Sequence, residues 1–511
     1  MTRVAVAASS QIAADAGAEI AAAGGNAVDA AIAANLVQLV TEPGIASVGA
    51  GAFIVIWPAG ETPAMVDGAS EMPGRNAAAE RLGGGGREVM LAYGGGTPTM
   101  VGYGSVATPG AFAGFDLAAR RYGGIPWNAL VEPAYRCAKD GFPLPPASQQ
   151  YLDSTHAGIF GWNPAALRPL QDARGAIRRA GETVRLDDLA DSLAAIAEQG
   201  VDAFYRGDIA RLIARDMDAN GGLLSLADLE AYRPRIVAAL DVALDDWHLA
   251  TTPAPSVGGA ALAAMLLLMR GFEHGGWTAQ MATHLIDVQT RVMRFRRQNL
   301  DTSEDLGRDV EDMLDLANSA PSALVSPSTV HTSAVDADGL ACAITASAGY
   351  GSGVMPPGTG IWMNNSLGEV ELNKRGFHAL RPGMRIPSNM APTTGRGSDG
   401  SVLSVGSPGA DRITTAILQT VTNFVHLGMP LQDAVNSPRL HVEWPRDDEY
   451  RVAYEPGMPV DDLDVPQRRF DGLDMFFGGV SAVHFAPPDR FEMAADVRRT
   501  GGTALSPNRT G

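Results

Sequence analysis

A short apolar run, GAFIVIW at residues 51–57, directly follows two segments with helical periodicity. A run of this length that is rich in β-branched and aromatic residues and ends at a proline is typical of a buried strand. The two segments before it, residues 9–23 and 28–40, are separated by Gly24 and Gly25, which can end the first helix. The sequence therefore predicts that helices cover a sheet.

A second strand signal begins at Thr329. Residues 329–335 and 340–348 form alternating or apolar runs on either side of an Asp-Ala-Asp-Gly turn. Asp-Gly between two such runs favours a β-hairpin. Helical patterns dominate residues 111–316 and return at 413–438. This order of helices, strands and helices predicts a layered α/β sandwich rather than a barrel.

Composition excludes several classes of partner. The 511 residues include 46% hydrophobic residues, the net charge is −18, and lysine occurs only at Lys139 and Lys374. Without a basic run, nucleic acid and anionic membranes are poor partners. Residues 83–96 are rich in glycine but lack Gly-Lys-Ser/Thr, which excludes a Walker-type phosphate loop and favours a mobile loop.

The cellular compartment of the protein is predicted from two features of the sequence. The amino terminus lacks the apolar stretch and the small-residue cleavage site of a secretory signal, so a cytoplasmic location is expected. The two cysteines, Cys137 and Cys342, fit a reducing environment without a disulfide framework. Cys342 lies in an apolar run and is interpreted as a small core residue.

Thr329 is a candidate nucleophile because of where it stands. A cut before this residue would give it a free α-amino group with a pKa of about 7.7–8.0, able to take the proton of its own hydroxyl. His331 lies on the same strand face, but a structural role is favoured because the amine already serves as the base. In isolation, a strand threonine is ordinarily structural.

Several motifs occur in an order that resembles the γ-glutamyltranspeptidase family. They are AAAGGNAVDAAIAANLVQLVTEPGIASVGAGAF (21–53), ATPGAFAGFDLAARRYG (107–123), the block at 329, PGTGIWMNNSLGE (357–369), PSNMAPT (387–393), VGSPGADRITTAILQ (405–419) and NSPRL (436–440). The resemblance implies the four-layer αββα sandwich of N-terminal nucleophile hydrolases. It further implies self-cleavage between Ser328 and Thr329 into a large subunit, 1–328, and a small subunit, 329–511.

The same resemblance implies the acyl-transfer machinery. Thr329 would attack the amide carbonyl, and Ser347, where the family usually has threonine, would orient it by hydrogen bonding. Gly409 and Ala410 match the family's Gly-Gly oxyanion pair, whose N–H groups stabilise the tetrahedral intermediate. Alanine keeps the N–H, and its methyl group is tolerable only if φ is negative. A negative φ is therefore expected at Ala410.

Substrate recognition departs from the family pattern. Ser388 and Asn389 match a Ser-Ser pair that contacts the α-carboxylate of the substrate, but Ser70 stands where an arginine is expected, with Arg75 the nearest replacement in sequence. At the α-amino end, Glu369 follows Asn364-Asn365 and matches the expected acid. Ser366 replaces a Gln or Glu, and Gly349 replaces an asparagine.

The resemblance therefore predicts a γ-glutamyl hydrolase or acyltransferase that uses water or an amine acceptor, needs no cofactor, and works as a heterodimer of its two fragments. No HExxH or other metal-ligand spacing surrounds the histidines, and no G-x-S-x-G elbow surrounds a serine. Two alternatives stay open. One is a family acylase acting on a glutaryl-type or peptide-like amide, favoured by Ser70, and the other is an unprocessed protein that binds a ligand without turnover.

Overall fold

The computed structural model describes residues 2–92, 96–271, 276–317, 329–446 and 449–507. Its strands are, in chain order, β1 Val4–Ala8, β2 Gly51–Trp57, β3 Ala64–Gly68, β4 Arg87–Leu91, β5 Thr97–Val101, β6 Phe142–Pro143, β7 Thr183–Val184, β8 Arg235–Ala238, β9 Leu240–Leu244, β10 Trp247–Thr251, β11 Val330–Asp336, β12 Ala341–Ser347, β13 Thr393–Gly397, β14 Val402–Gly406, β15 Leu440–Arg446, β16 Glu449–Tyr454, β17 Gln467–Arg469, β18 Ser481–Ala486, β19 Arg490–Ala495 and β20 Gly502–Leu505.

The α-helices of the same residues are α1 Gln11–Ala22, α2 Ala27–Thr41, α3 Ala111–Tyr122, α4 Trp127–Asp140, α5 Pro146–Ile159, α6 Pro164–Leu167, α7 Asp187–Gln199, α8 Asp202–Tyr205, α9 Asp208–Ala219, α10 Leu226–Ala231, α11 Val257–Leu268, α12 Ala279–Phe295, α13 Leu306–Ala317, α14 Arg412–Val421 and α15 Leu431–Asn436. The second of them begins at a capping box, in which Asn26 accepts from the N–H of Asp29 and the Asp29 carboxylate accepts from the N–H of Asn26. None of the described helices is long and apolar enough to cross a membrane.

Two antiparallel sheets pack face to face. The first has the order β20-β1-β11-β12-β2-β3-β8 and the second has the order β19-β18-β14-β13-β10-β9. Strands β11 and β12 of the first sheet lie against β14 and β18 of the second. The hairpin that begins next to Thr329 therefore occupies the middle of the molecule.

Helices cover the outer face of each sheet. Strand β1 shows why: Val4, Val6 and Ala8 pack against helices α1 and α2, whereas Ala5 and Ala7 point into the core between the sheets. Because side chains alternate along a strand, each strand of this sheet serves both layers. Helices α11 and α14 cover the second sheet. The predicted αββα arrangement is therefore confirmed.

The local predictions from sequence have mixed outcomes. The strand at 51–57 and the hairpin at 329–348 are confirmed. The mobile loop expected at 83–96 is wrong in part, because β4 pairs with β5, and Val89 and Leu91 pack beside Gly158 of α5; residues 93–95 of that segment lie outside the described residues. The largely helical middle is also interrupted, because β8 and β10 each pair with a strand distant in sequence, β3 and β13.

Candidate active site

Thr329 directly precedes β11, at the end of a central strand of the first sheet. The pairing of Val330 with Ala346 continues the hairpin, so Thr329 stands opposite Ser347, which in turn pairs with Gly51 on β2. These three residues, with Ala69 and Ser70 after β3, line one pocket. Only 3% of the Thr329 surface is exposed. The predicted nucleophile and the predicted second hydroxyl therefore share a buried site, although Ser328 lies outside the described residues.

Gly51 allows Ser70 to approach the beginning of β2 closely. A Cβ atom on Gly51 would lie 2.7 Å from the backbone nitrogen of Ser70 and 2.8 Å from its Oγ atom. Both distances are below normal contact, so a larger residue would push Ser70 away. The Ser347 Oγ atom accepts a hydrogen bond from the N–H of Gly349 at 3.1 Å, which holds the hydroxyl at the end of β12.

A second wall of the pocket is the segment that contains Ser388 and Asn389. The N-terminus of helix α11 holds this segment, because the N–H groups of Val257 and Gly258 donate to the Ser388 carbonyl oxygen at 2.9 and 3.2 Å. The Ser388 Oγ atom accepts from the N–H of Met390 at 3.2 Å, which leaves its O–H as a donor. Both residues therefore line the same pocket as Thr329, and their contact with a substrate stays a prediction.

A third wall contains Ser366, Glu369 and Leu372. Asn364 fixes its course: the side-chain amide donates to the carbonyl oxygens of Gly49 and Ala107 and accepts from the N–H groups of Ala107 and Ser366. Asn365 was predicted to bind substrate, but it does not line the pocket. Its amide nitrogen donates to Thr99 Oγ1 at 3.0 Å and to the Met100 carbonyl oxygen at 3.1 Å.

Glu369 is a buried acid without a cation. Burial first, and then the nearby carboxylate of Glu371, raise the pKa of Glu369 well above its ordinary value. The pKa of Glu371 is raised to about 7, also by burial, while the Tyr350 hydroxyl donates to it at 2.8 Å. Among the described residues, Glu369 has no ion pair. A buried carboxyl group in this state is suited to receive a positive charge.

No arginine reaches the pocket from the neighbouring loop. Arg75, the nearest replacement for the arginine expected at Ser70, pairs with Glu71 at 3.1 Å and with Asp228 at 3.4 Å. Arg385 pairs with Asp67 at 2.9 Å and with Glu71 at 2.6 Å. Within the described part of the chain, Glu369 is the single ionisable side chain that lines the pocket.

Gly409 and Ala410 follow β14, at the end that approaches Thr329. Gly406 abuts the ring of His331, since a Cβ atom at this position would lie 2.2 Å from His331 Cε1, so β14 runs close to the strand that follows Thr329. Neither Gly409 nor Ala410 lines the pocket itself. Within the described residues, the N–H groups of both donate no hydrogen bond, which is the state that an oxyanion hole requires.

The expectation of a negative φ at Ala410 is wrong, because its φ is +69°. The next residue, Asp411, is anchored by His441 at 2.8 Å and by Arg412 at 2.5 Å. A left-handed alanine costs roughly 1–2 kcal/mol. Gly409 has φ +122°, and a Cβ there would lie 2.7 Å from Gly478, so glycine is needed at that position.

His331 is confined to a structural role by its hydrogen bonds. Ser333 Oγ donates its hydrogen to the Ser481 carbonyl oxygen, so it accepts from His331 Nε2 at 2.9 Å. Nδ1 then accepts from Thr345 Oγ1 at 2.8 Å. Burial lowers the pKa of His331 to about 3, so the ring stays neutral. This agrees with the sequence-based preference against a base at this position.

Sequence reasoning missed Arg296, which follows α12 and is 1% exposed. Its Nη1 donates to Asn389 Oδ1 at 2.6 Å, so it holds a residue of the pocket wall. The surrounding RFRRQNL reads only as the basic end of a helix, and nothing in it points to Asn389. Among the described residues, no group of three or more His, Cys, Asp or Glu side chains could hold a metal ion.

Comparisons with known proteins identify the family of this chain. The gamma-glutamyltranspeptidase family model matches residues 13–506. The chain is 28% identical to the glutathione hydrolase proenzyme of Escherichia coli (strain K12), over 94% of this chain and 88% of that protein. It is 30% identical to the glutathione hydrolase proenzyme of Pseudomonas aeruginosa, over 98% and 95%.

A solved structure supports the fold over the same length. The cephalosporin acylase of Bacillus halodurans superimposes with a TM-score of 0.80 and 26% identity, covering 98% of this chain and 96% of that one. The match therefore supports the fold over nearly the whole chain. The chain belongs to the gamma-glutamyltranspeptidase family, whose members are enzymes, hydrolases and transferases with the N-terminal nucleophile hydrolase fold.

Proposed function

We propose that this protein is a self-processing enzyme that cleaves γ-glutamyl amides through an acyl-Thr329 intermediate. One observation carries the choice of donor: Glu369, a buried acid without a cation, lines the same pocket as Thr329 and Asn389. A γ-glutamyl group has an α-ammonium for Glu369 and an α-carboxylate for the donors at Ser388 and Asn389. The proenzyme names of the relatives support cleavage before Thr329.

The reaction begins when the Thr329 hydroxyl attacks the amide carbonyl and its proton passes to the α-amino group of the same residue. The N–H groups of Gly409 and Ala410 would stabilise the oxyanion, and a lost donor of this kind costs roughly 3–4 kcal/mol. The amine then gives the proton to the leaving nitrogen as the C–N bond breaks. Water or an amine then attacks the ester and gives a proton to the α-amino group, which passes it to Thr329 Oγ1 as the ester C–O bond breaks.

Glu369 would select for the α-amino group. An ammonium beside a buried carboxyl group favours loss of the carboxyl proton and forms a charge-assisted hydrogen bond worth about 1.5–3 kcal/mol. Burial raises the pKa of Glu369, and a bound ammonium acts in the opposite direction because it favours the carboxylate. Preference for γ-glutamyl over glutaryl donors should therefore weaken as pH falls.

The first test is the intact mass of the denatured protein, beside a Thr329→Ala variant. Two fragments are expected for the natural chain, the smaller beginning at Thr329, and one uncut chain of 53.3 kDa for the variant. The variant should also release no p-nitroaniline from γ-glutamyl-p-nitroanilide. A natural chain that stays uncut and inactive would favour the ligand-binding alternative, and an active Thr329→Ala variant would refute the nucleophile.

A second candidate is an acylase for glutaryl-type amides, favoured by the similarity of the chain to the cephalosporin acylase of Bacillus halodurans. Glutaryl-p-nitroanilide differs from the γ-glutamyl anilide only by lacking the α-amine. We expect Glu369→Gln to lower kcat/KM for the γ-glutamyl anilide by roughly 10- to 100-fold and to leave the glutaryl anilide nearly unchanged. Faster turnover of the glutaryl anilide by the natural enzyme would establish the acylase instead.

A further inference from the structure

Arg296 is a buried guanidinium placed directly behind the pocket wall. Its Nε donates to Asp301 Oδ1 at 2.9 Å, and its Nη1 donates to Asn389 Oδ1 at 2.6 Å. Its Nη2 is buried and has no hydrogen-bond partner among the described residues. Burying a charged nitrogen without a hydrogen-bond partner lowers stability, which indicates that Arg296 is kept at this position for another reason.

The contact with Arg296 determines which end of the Asn389 amide faces the substrate. Arginine can only donate, so the atom that it touches is the amide oxygen. The polar group that Asn389 can offer to the pocket is then its amide nitrogen, a donor. Without Arg296 the amide could turn and offer its oxygen, which would repel a carboxylate.

The wall therefore combines two donors with a guanidinium whose Nε side is paired with Asp301. The Ser388 O–H and the Asn389 amide nitrogen belong to adjacent residues that line the pocket. Arg296 lies one side chain behind them, in an interior where charge is poorly screened. A carboxylate oxygen fits this combination better than a neutral carbonyl does.

We propose that Arg296 is a positioning residue that makes the pocket specific for an acyl group carrying a free carboxylate, by fixing the Asn389 amide and by placing a cation behind it. The proposal rests on the proposed function for the reaction, but it applies equally to γ-glutamyl and glutaryl donors, because both carry that carboxylate. It also accounts for Ser70, since the guanidinium stands behind Asn389, just after α12, instead of in the loop after β3.

The test compares donors that differ only in this group. One pair is γ-glutamyl-p-nitroanilide and its α-carboxamide, and the other is glutaryl-p-nitroanilide and the corresponding glutaramoyl anilide. For Arg296→Met we expect KM for the carboxylate donors to rise about tenfold or more, with kcat and the carboxamide donors changed less than twofold. Arg296→Lys should recover part of the preference. Equal losses for both members of a pair would mean a structural role and overturn the proposal.

A second variant covers the case in which Arg296→Met fails to fold, since it leaves Asp301 unpaired. Asp301→Asn keeps Arg296 and removes the carboxylate that competes for it, so we expect a stronger preference for carboxylate donors. An unchanged or weaker preference would overturn the proposal. A natural enzyme that turns over the carboxamides as well as the acids would overturn it while leaving the proposed function intact. One that turns over none of the four anilides overturns both.

Discussion

Replacing Glu42 with glutamine should remove a large part of the pH dependence of stability. Glu42 ends helix α2, is 3% exposed, and accepts a hydrogen bond from Ser9 Oγ at 2.5 Å. Burial raises its pKa from 4.5 to about 7, against the opposing effects of that hydrogen bond and of Arg499. The folded protein therefore keeps a proton that the unfolded chain releases near pH 4.5.

The direction and size of the change in unfolding free energy with pH follow from this difference in pKa. The stabilisation is fully present below pH 4.5 and is lost as pH rises through about 7. At about 1.36 kcal/mol per pKa unit, the loss amounts to roughly 3 kcal/mol. Glutamine has nearly the same shape and can accept from Ser9, but it does not titrate. The unfolding free energy of the Glu42→Gln variant should therefore fall less than that of the parent protein between pH 4.5 and pH 8.

The assay is urea unfolding at several pH values between 4.5 and 8, in a Thr329→Ala background so that both proteins remain single chains. The control is Glu61→Gln, since Glu61 has an exposed side chain beyond the end of β2. The decrease in unfolding free energy for the parent should exceed that for Glu42→Gln by roughly 3 kcal/mol, and should equal that for Glu61→Gln. Parallel curves for the parent and Glu42→Gln would refute the reasoning.

Two further positions test the backbone of the site. Ala410→Gly removes a left-handed alanine but makes the unfolded chain more flexible, so the unfolding free energy should change by less than about 1 kcal/mol and activity should be kept. Ala410→Val should lower the unfolding free energy by at least about 1–2 kcal/mol, and equal stability of the two variants would contradict the φ of +69°. Gly349→Asn should lower kcat/KM for γ-glutamyl-p-nitroanilide more than tenfold, because its Cβ would lie 2.2 Å from Asn365 Oδ1 and 3.1 Å from the Glu369 carboxyl group. Gly351→Asn, at φ +88° but with nothing closer than 3.6 Å, is the matched control, and an equal loss there would contradict the explanation.

Parts of the fold whose signals are local could be predicted from the sequence. The apolar run of β2 and the Asp-Gly turn between β11 and β12 carry their own patterns, and the structure has both. Strands β8 and β10 were missed because their short, partly polar sequences become strands only by pairing with β3 and β13. Such pairing involves residues far apart in the chain and leaves no periodic trace.

The residues of the site also fall into two groups, those that local motifs identify and those that they do not. The motifs identified Thr329, Ser347, Glu369 and the Ser388 wall, and the structure brings these together in one pocket. They did not identify Arg296, because 93 residues separate it from Asn389 and the contact has no local signature. The conformation of Ala410 was also beyond the sequence, since the ion pairs of Asp411 that hold this turn form only in the folded chain.

The order of strands has a consequence for what cleavage before Thr329 would do. In the first sheet, β1 lies between β20 and β11, and β12 pairs with β2, so strands from the two sides of the cut are interleaved. Separating the two pieces would break ladders in the interior of the sheet as well as the pairing of β10 with β13. The cut protein should therefore persist as one body, held by a high barrier to unfolding. Once denatured, however, its pieces must find each other, so recovery would depend on concentration, whereas the uncut chain could refold alone.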